Sequence, residues 1–136
     1  MPVTLELIEN GRVLSVTFID PWAMSDALSL FPELERIYNA AERPIHALID
    51  ARQSKLPSSG ALRARESPAF KHPMSGHMAV VGAASVVRAV AETVFRLARF
   101  QRVTFFDTYE EGLAFLRTLL AQEAEASADS QATMNS

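Results

Sequence analysis

The dipeptide Asn10-Gly11 constrains this chain more than any other feature, because both residue types accept the positive φ that a tight type I′ turn demands. Ahead of it, Val3, Leu5 and Leu7 alternate with Thr4 and Glu6; behind it, Leu14, Val16 and Phe18 alternate with Ser15 and Thr17. A period of two on both sides of such a turn is the pattern of two half-buried strands. An antiparallel hairpin is therefore expected to open the fold, its second strand closing at Asp20 and Pro21.

Beyond the hairpin, helical and extended patterns alternate. Leu28, Phe31, Leu34, Tyr38 and Ala41 recur at helical spacing after Ser25, a suitable N-cap, with Pro32 set to kink the segment or restart it one turn later. Residues 45–49, between Pro44 and Asp50, read as a buried strand, and 52–60 as a polar loop. A short helix interrupted by Pro68 is expected over 61–70 and a loop over 71–76. Residues 78–81 make a third apolar run, placed as a central parallel strand. Ser85 then caps a helix with an apolar stripe of Val86, Val87, Val90, Val94, Leu97 and Ala98, and with Arg88, Glu92 and Arg96 spaced for pairing outside it. Residues 103–106 form a further strand; Thr108 and Glu111 match a capping box before a helix carrying Leu113, Leu116 and Leu120. The order β-β-α-β-α-β-α-β-α implies an α/β domain with a mixed, mostly parallel sheet, one antiparallel edge and flanking helices.

The 136 residues fit one domain over 1–122, followed by an expected disordered acidic tail over 123–136. That tail holds Glu123, Glu125 and Asp129 and no Lys or Arg, which accounts for the whole net charge of −3 and leaves a neutral body. Such a body neither steers toward phosphates nor offers a basic patch, so nucleic acid is not an expected partner. With no cysteine there is no disulfide, thiolate metal site or Cys nucleophile. The longest apolar run, 78–87, is about half of what a bilayer requires, and no signal-peptide pattern opens the chain. A cytoplasmic protein without stable membrane insertion is the expectation.

The strand ending in Asp50 resembles the corresponding strand of the STAS family. His72-Pro73 ahead of Met78-Ala79-Val80-Val81-Gly82, a valine-rich helix, and Val103-Thr104-Phe105-Phe106-Asp107-Thr108 before Glu110-Glu111-Gly112-Leu113 are similar to its SpoIIAA-like (STAS/SEC14-type) branch. The resemblance spans about residues 3–121. It implies a four- or five-stranded mixed sheet and a non-enzymatic regulatory or protein-interaction role. Anti-sigma-factor antagonists of the family carry an Asp-Ser-Ser-Gly-like string whose serine is phosphorylated; this chain has Pro57-Ser58-Ser59-Gly60, with proline in place of the aspartate. The resemblance thus makes Ser58, Ser59 and Gly60 a candidate phospho-switch and partner loop, since a phosphate adds charge where a partner docks. A polar turn before a helix needs the same residue types.

Other candidates come from the residues themselves. Asp50 and Asp107 follow expected strands and, with His77, make a candidate crevice at a sheet edge, where α/β folds bind ligands; Asp20 also ends a strand. His46 reads as a core histidine, and His72 with His77 makes a poor metal pair. No Gly-rich phosphate loop, Gly-x-Ser-x-Gly elbow or His-Glu-x-x-His is present, so neither catalysis nor a cofactor is expected. Trp22, Phe31 and Tyr38, or Phe95 and Phe100, have the spacing of core and equally of a small-molecule pocket. The alternative to a regulatory module is thus a small apolar-ligand or lipid-binding domain, which requires a partly unfilled interior. A protein partner of unknown identity is expected. Self-association across a two-fold is open to the edge strand or the first helix.

Overall fold

Three consecutive residues with positive φ, Glu9 (52°), Asn10 (58°) and Gly11 (80°), reverse the chain between β1 (Val3–Ile8) and β2 (Val13–Ile19). Four residues, Glu9 to Arg12, separate the paired Ile8 and Val13, two more than the expected two-residue loop: Gly11 N–H donates to Ile8 O and Arg12 N–H to Glu9 O, each at 3.1 Å. The computed structural model describes residues 2–55 and 59–134, without the side chains of 127–134.

The sheet has five strands in the order β1-β2-β3-β4-β5. β1 pairs antiparallel with β2, and the other pairings, through β3 (Ile45–Gln53), β4 (Ser75–Val81) and β5 (Val103–Phe106), are parallel. The chain is thus a single α/β domain with a mixed sheet and one antiparallel edge.

Helices cover both faces. On one lie α1 (Met24–Leu28), α2 (Phe31–Ala40), α3 (Pro68–Lys71) and α4 (Ser85–Leu97), over a core that includes Leu14, Val16, Ala47, Met78 and Val80. On the other lies α5 (Tyr109–Met134), whose Leu116 packs on Val13, Leu48, Ala79 and Val81. The alternation of side chains along each strand sorts these two sets, odd-numbered residues of β3 facing one core and even-numbered residues the other.

Local sequence explains most boundaries. Pro32 sits in the first turn of α2, where its missing N–H is harmless, and the chain breaks at Ser29 and Leu30 before restarting. Ala23, rather than Ser25, precedes α1, and its N–H donates to the Asp26 carboxylate at 2.8 Å. Residues 61–70 divide into a 3-10 turn over Ala61–Glu66 and α3, which begins at Pro68 and is capped by Ser67. At the start of α5 the capping box forms, Glu111 N–H donating to Thr108 Oγ1 at 3.1 Å and Thr108 N–H to Glu111 Oε1 at 3.2 Å.

Four expectations are corrected. β3 continues past Asp50 to Gln53, and β4 begins at Ser75 rather than 78. Val86 (48% exposed) and Leu97 (50%) point away from the core; the inward stripe of α4 includes Val87, Val90, Ala91, Val94 and Phe95. The helical pattern also does not stop at Gln122: α5 runs to Met134, so the boundary expected at 123 falls inside a helix. There Glu123 accepts from Arg12 Nη2 at 2.7 Å, while Arg12 also holds Pro44 O.

Candidate functional site

The face of the sheet beneath α1, α2 and α4 does not pack solid. A cavity of about 200 Å³ lies there, floored by Leu14, Val16, Ala47, Ile49, Ala51, Met78 and Val80 and roofed by side chains from α1 to α4 and the 3-10 turn. Its origin is local. Ala47 and Ala51 on the floor face a roof that includes Ala27, Ala61, Ala64 and Ala91, so small side chains meet where large ones would interdigitate. The half-buried lining residues Phe18, Trp22, Leu30 and Phe31 stand at its outer side, with the Phe18 and Trp22 rings 4.8 Å apart.

The lining holds no charged side chain. Its few polar groups are Ser54, Ser67, Tyr38 and the Trp22 N–H. Trp22 Nε1 donates to Ser54 Oγ at 2.8 Å, and Ser67 Oγ accepts from Ala69 N–H at 3.1 Å. A dry apolar cavity of about 150 Å³ takes up benzene or xenon. This one can hold a small aromatic ring or a short acyl chain. Of the aromatics singled out in the sequence, Trp22, Phe31, Tyr38 and Phe95 line it, whereas Phe100 packs against Phe70 and Phe95 behind it.

No protein-family model, curated protein or solved structure matches this chain.

The expected strand-end crevice does not form as a unit. Asp50 pairs in register with Val81 and Asp107 follows Phe106, so both lie toward the carboxyl end of the sheet, on β3 and just past β5 with β4 between them. His77 is four residues before Val81 on β4, about 13 Å back along the strand. Asp20 lies further on beside the 53–55 segment, its carboxylate accepting from Lys55 N–H at 2.6 Å.

Asp50 and His46 instead serve register shifts. Between Thr17 and Ile19 of β2 the partner strand inserts an extra residue. The Arg52 N–H there donates to Asp50 Oδ1 at 3.1 Å, and the Arg52 side chain makes two further bonds to the carboxylate at 2.8 and 2.9 Å. Those bonds hold the Asp50 carboxyl below its ordinary range against the opposing effect of burial. A second shift falls in β4 between Ser75 and Met78. Here His77 N–H donates to His46 Nδ1 at 2.8 Å, which leaves His46 Nε2 to carry the proton toward Glu123 Oε1, 2.7 Å away. In both places a side chain satisfies a backbone donor that a bulge removes from the ladder.

Gly76 is required by the same arrangement, because a Cβ there would overlap the His46 ring. His77 faces α5, its Nε2 3.1 Å from Thr104 Oγ1 and its ring 4.9 Å from that of Phe115. Burial pushes its imidazole below the ordinary value, with His46 and Arg102 acting in the same direction. His72 stacks on Tyr38 with ring centroids 5.3 Å apart, and its Nε2 is 2.8 Å from Asn39 Oδ1.

Of the candidate loop, Ser58 lies outside the described residues. Ser59 and Gly60 are exposed, and Gly60, at φ 76°, leads into the 3-10 turn. No cluster of three or more His, Asp or Glu side chains suited to a metal ion occurs among the described residues. No helix among them is long and apolar enough to cross a membrane. The His46–Glu123 contact joins residues 77 apart, and no local pattern announces it.

Proposed function

We propose that this domain is a non-catalytic module of the SpoIIAA-like (STAS/SEC14-type) branch that binds a small, uncharged apolar ligand. The observation that carries the reading is the cavity of about 200 Å³ between the sheet and helices α1 to α4, lined without a single charged group. Apolar area removed from water contributes about 25 cal/mol per Å², so a ligand filling this space gains affinity without any polar contact. The employment of Asp50 in a sheet irregularity, and the distance between Asp50 and His77 along the strands, support a binding role over a catalytic one.

Trp22, the single tryptophan, lines the cavity and reports on its contents. Titration with ethylbenzene is expected to change its fluorescence saturably, at one molecule per chain. A flat titration, together with no mass increment in native mass spectrometry, contradicts the reading.

A regulatory role, implied by the family resemblance, has one supporting observation. Ser59 and Gly60 lead directly into the turn whose Ala61 and Ala64 line the cavity. Ligand occupancy and the presentation of Ser59 and Gly60 to a partner are then coupled through a shared wall. The double variant Ser58→Asp/Ser59→Asp is expected to shift ethylbenzene affinity severalfold; an unchanged affinity contradicts this coupling.

A further inference from the structure

Tyr38 lines the cavity and is fully buried, at 0% exposure. Its hydroxyl is the one buried side-chain polar atom without a hydrogen-bond partner among the described residues. The Ser75 hydroxyl lies close by and donates to Ala69 O, but its placement relative to the Tyr38 hydroxyl does not make a hydrogen bond. Stacking on His72 and position on α2 fix the ring, so the hydroxyl cannot turn out to water. Such a group destabilises the fold while it stays unpaired, and buried polar groups are otherwise almost always satisfied.

We infer that the ligand is a neutral apolar molecule bearing one oxygen acceptor, a ketone, aldehyde, ester or alcohol, and that the Tyr38 hydroxyl donates to that oxygen. This rests on the cavity being a binding site and specifies what it selects. One molecule then repairs two defects at once, the unfilled volume and the unpaired donor. Charge is excluded by the lining, which supplies no Lys, Arg or His to stabilise a carboxylate out of water.

The test uses three probes of similar size on the full chain: ethylbenzene, acetophenone, which adds a carbonyl, and benzoate, which adds a charge. Affinities are read by protein-observed NMR titration on the parent and on Tyr38→Phe, a variant that removes only the hydroxyl and is expected to melt no lower than the parent. The ratio of acetophenone to ethylbenzene affinity is expected to fall about tenfold on Tyr38→Phe, the effect of losing one bond worth ~1.4 kcal/mol, and benzoate is expected not to bind. If ethylbenzene binds but the ratio is unchanged, or benzoate binds as well as acetophenone, the polar anchor is overturned and the cavity stands. If none of the probes binds the parent, the cavity reading falls with it.

Discussion

The indole N–H of Trp22 donates to the Ser54 hydroxyl at 2.8 Å, tying the segment that leads into α1 to the residue just past β3 at the wall of the cavity. Ser54 is buried, so truncating it strands the indole donor. Ser54→Ala is expected to destabilise the domain by about 1–3 kcal/mol in urea unfolding, and to shift the Trp22 emission of the folded state. An unchanged unfolding midpoint would mean that the bond contributes nothing.

Filling the cavity from its own wall should stabilise the domain and abolish binding. Ala91 lines the roof from α4, a helix that accepts leucine without backbone cost. Ala91→Leu is expected to raise stability by about 1–2 kcal/mol while lowering ethylbenzene affinity more than tenfold. Loss of stability with retained binding would place the cavity elsewhere.

The contact between Gly76 and His46 predicts a coupling. Gly76→Ala drives a Cβ into the His46 ring and is expected to cost about 1–3 kcal/mol. In a His46→Ala background the same change should cost far less, because the obstructing ring is gone. A double-mutant cycle by denaturant unfolding checks this; additive costs would contradict the packing.

Much of this architecture can be read in the chain itself, for identifiable reasons. Asn10-Gly11, Pro32, Pro68 and the Thr108–Glu111 box each act through their own backbone, so their effects are visible within four residues. β3 past Asp50 is not, because Asp-Ala-Arg resembles a loop until the Asp50–Arg52 pair is seen to satisfy an irregular strand. The place of Glu123 is hidden in the same way. Glu123 belongs to an acidic, alanine-rich segment, and only Arg12 and His46, more than 75 residues away, give it a place. The cavity is half legible: Trp22, Phe31, Tyr38 and Phe95 have the spacing of lining or of core. What separates the two is whether alanine meets alanine across the layers, a tertiary fact.

His77 gives the domain a pH dependence of definite sign. Its folded-state pKa is lowered from 6.5, chiefly by burial. The unfolded chain therefore takes up the proton first as pH falls. Stability is complete above that value, declines as pH drops through 6.5, and levels off below the folded-state pKa. Urea unfolding at acid and neutral pH should show a smaller difference for His77→Gln than for the parent; an equal difference would assign the slope to other groups.

The central claim is that the space between the sheet and α1 to α4 is a binding cavity. Diffraction from crystals of the full chain under xenon pressure tests it most directly. The account predicts xenon density between Trp22, Leu34 and Val94, with the helices in place. An absence of xenon there, with α4 settled onto Ala47 and Ala51 so that the layers close, would contradict it.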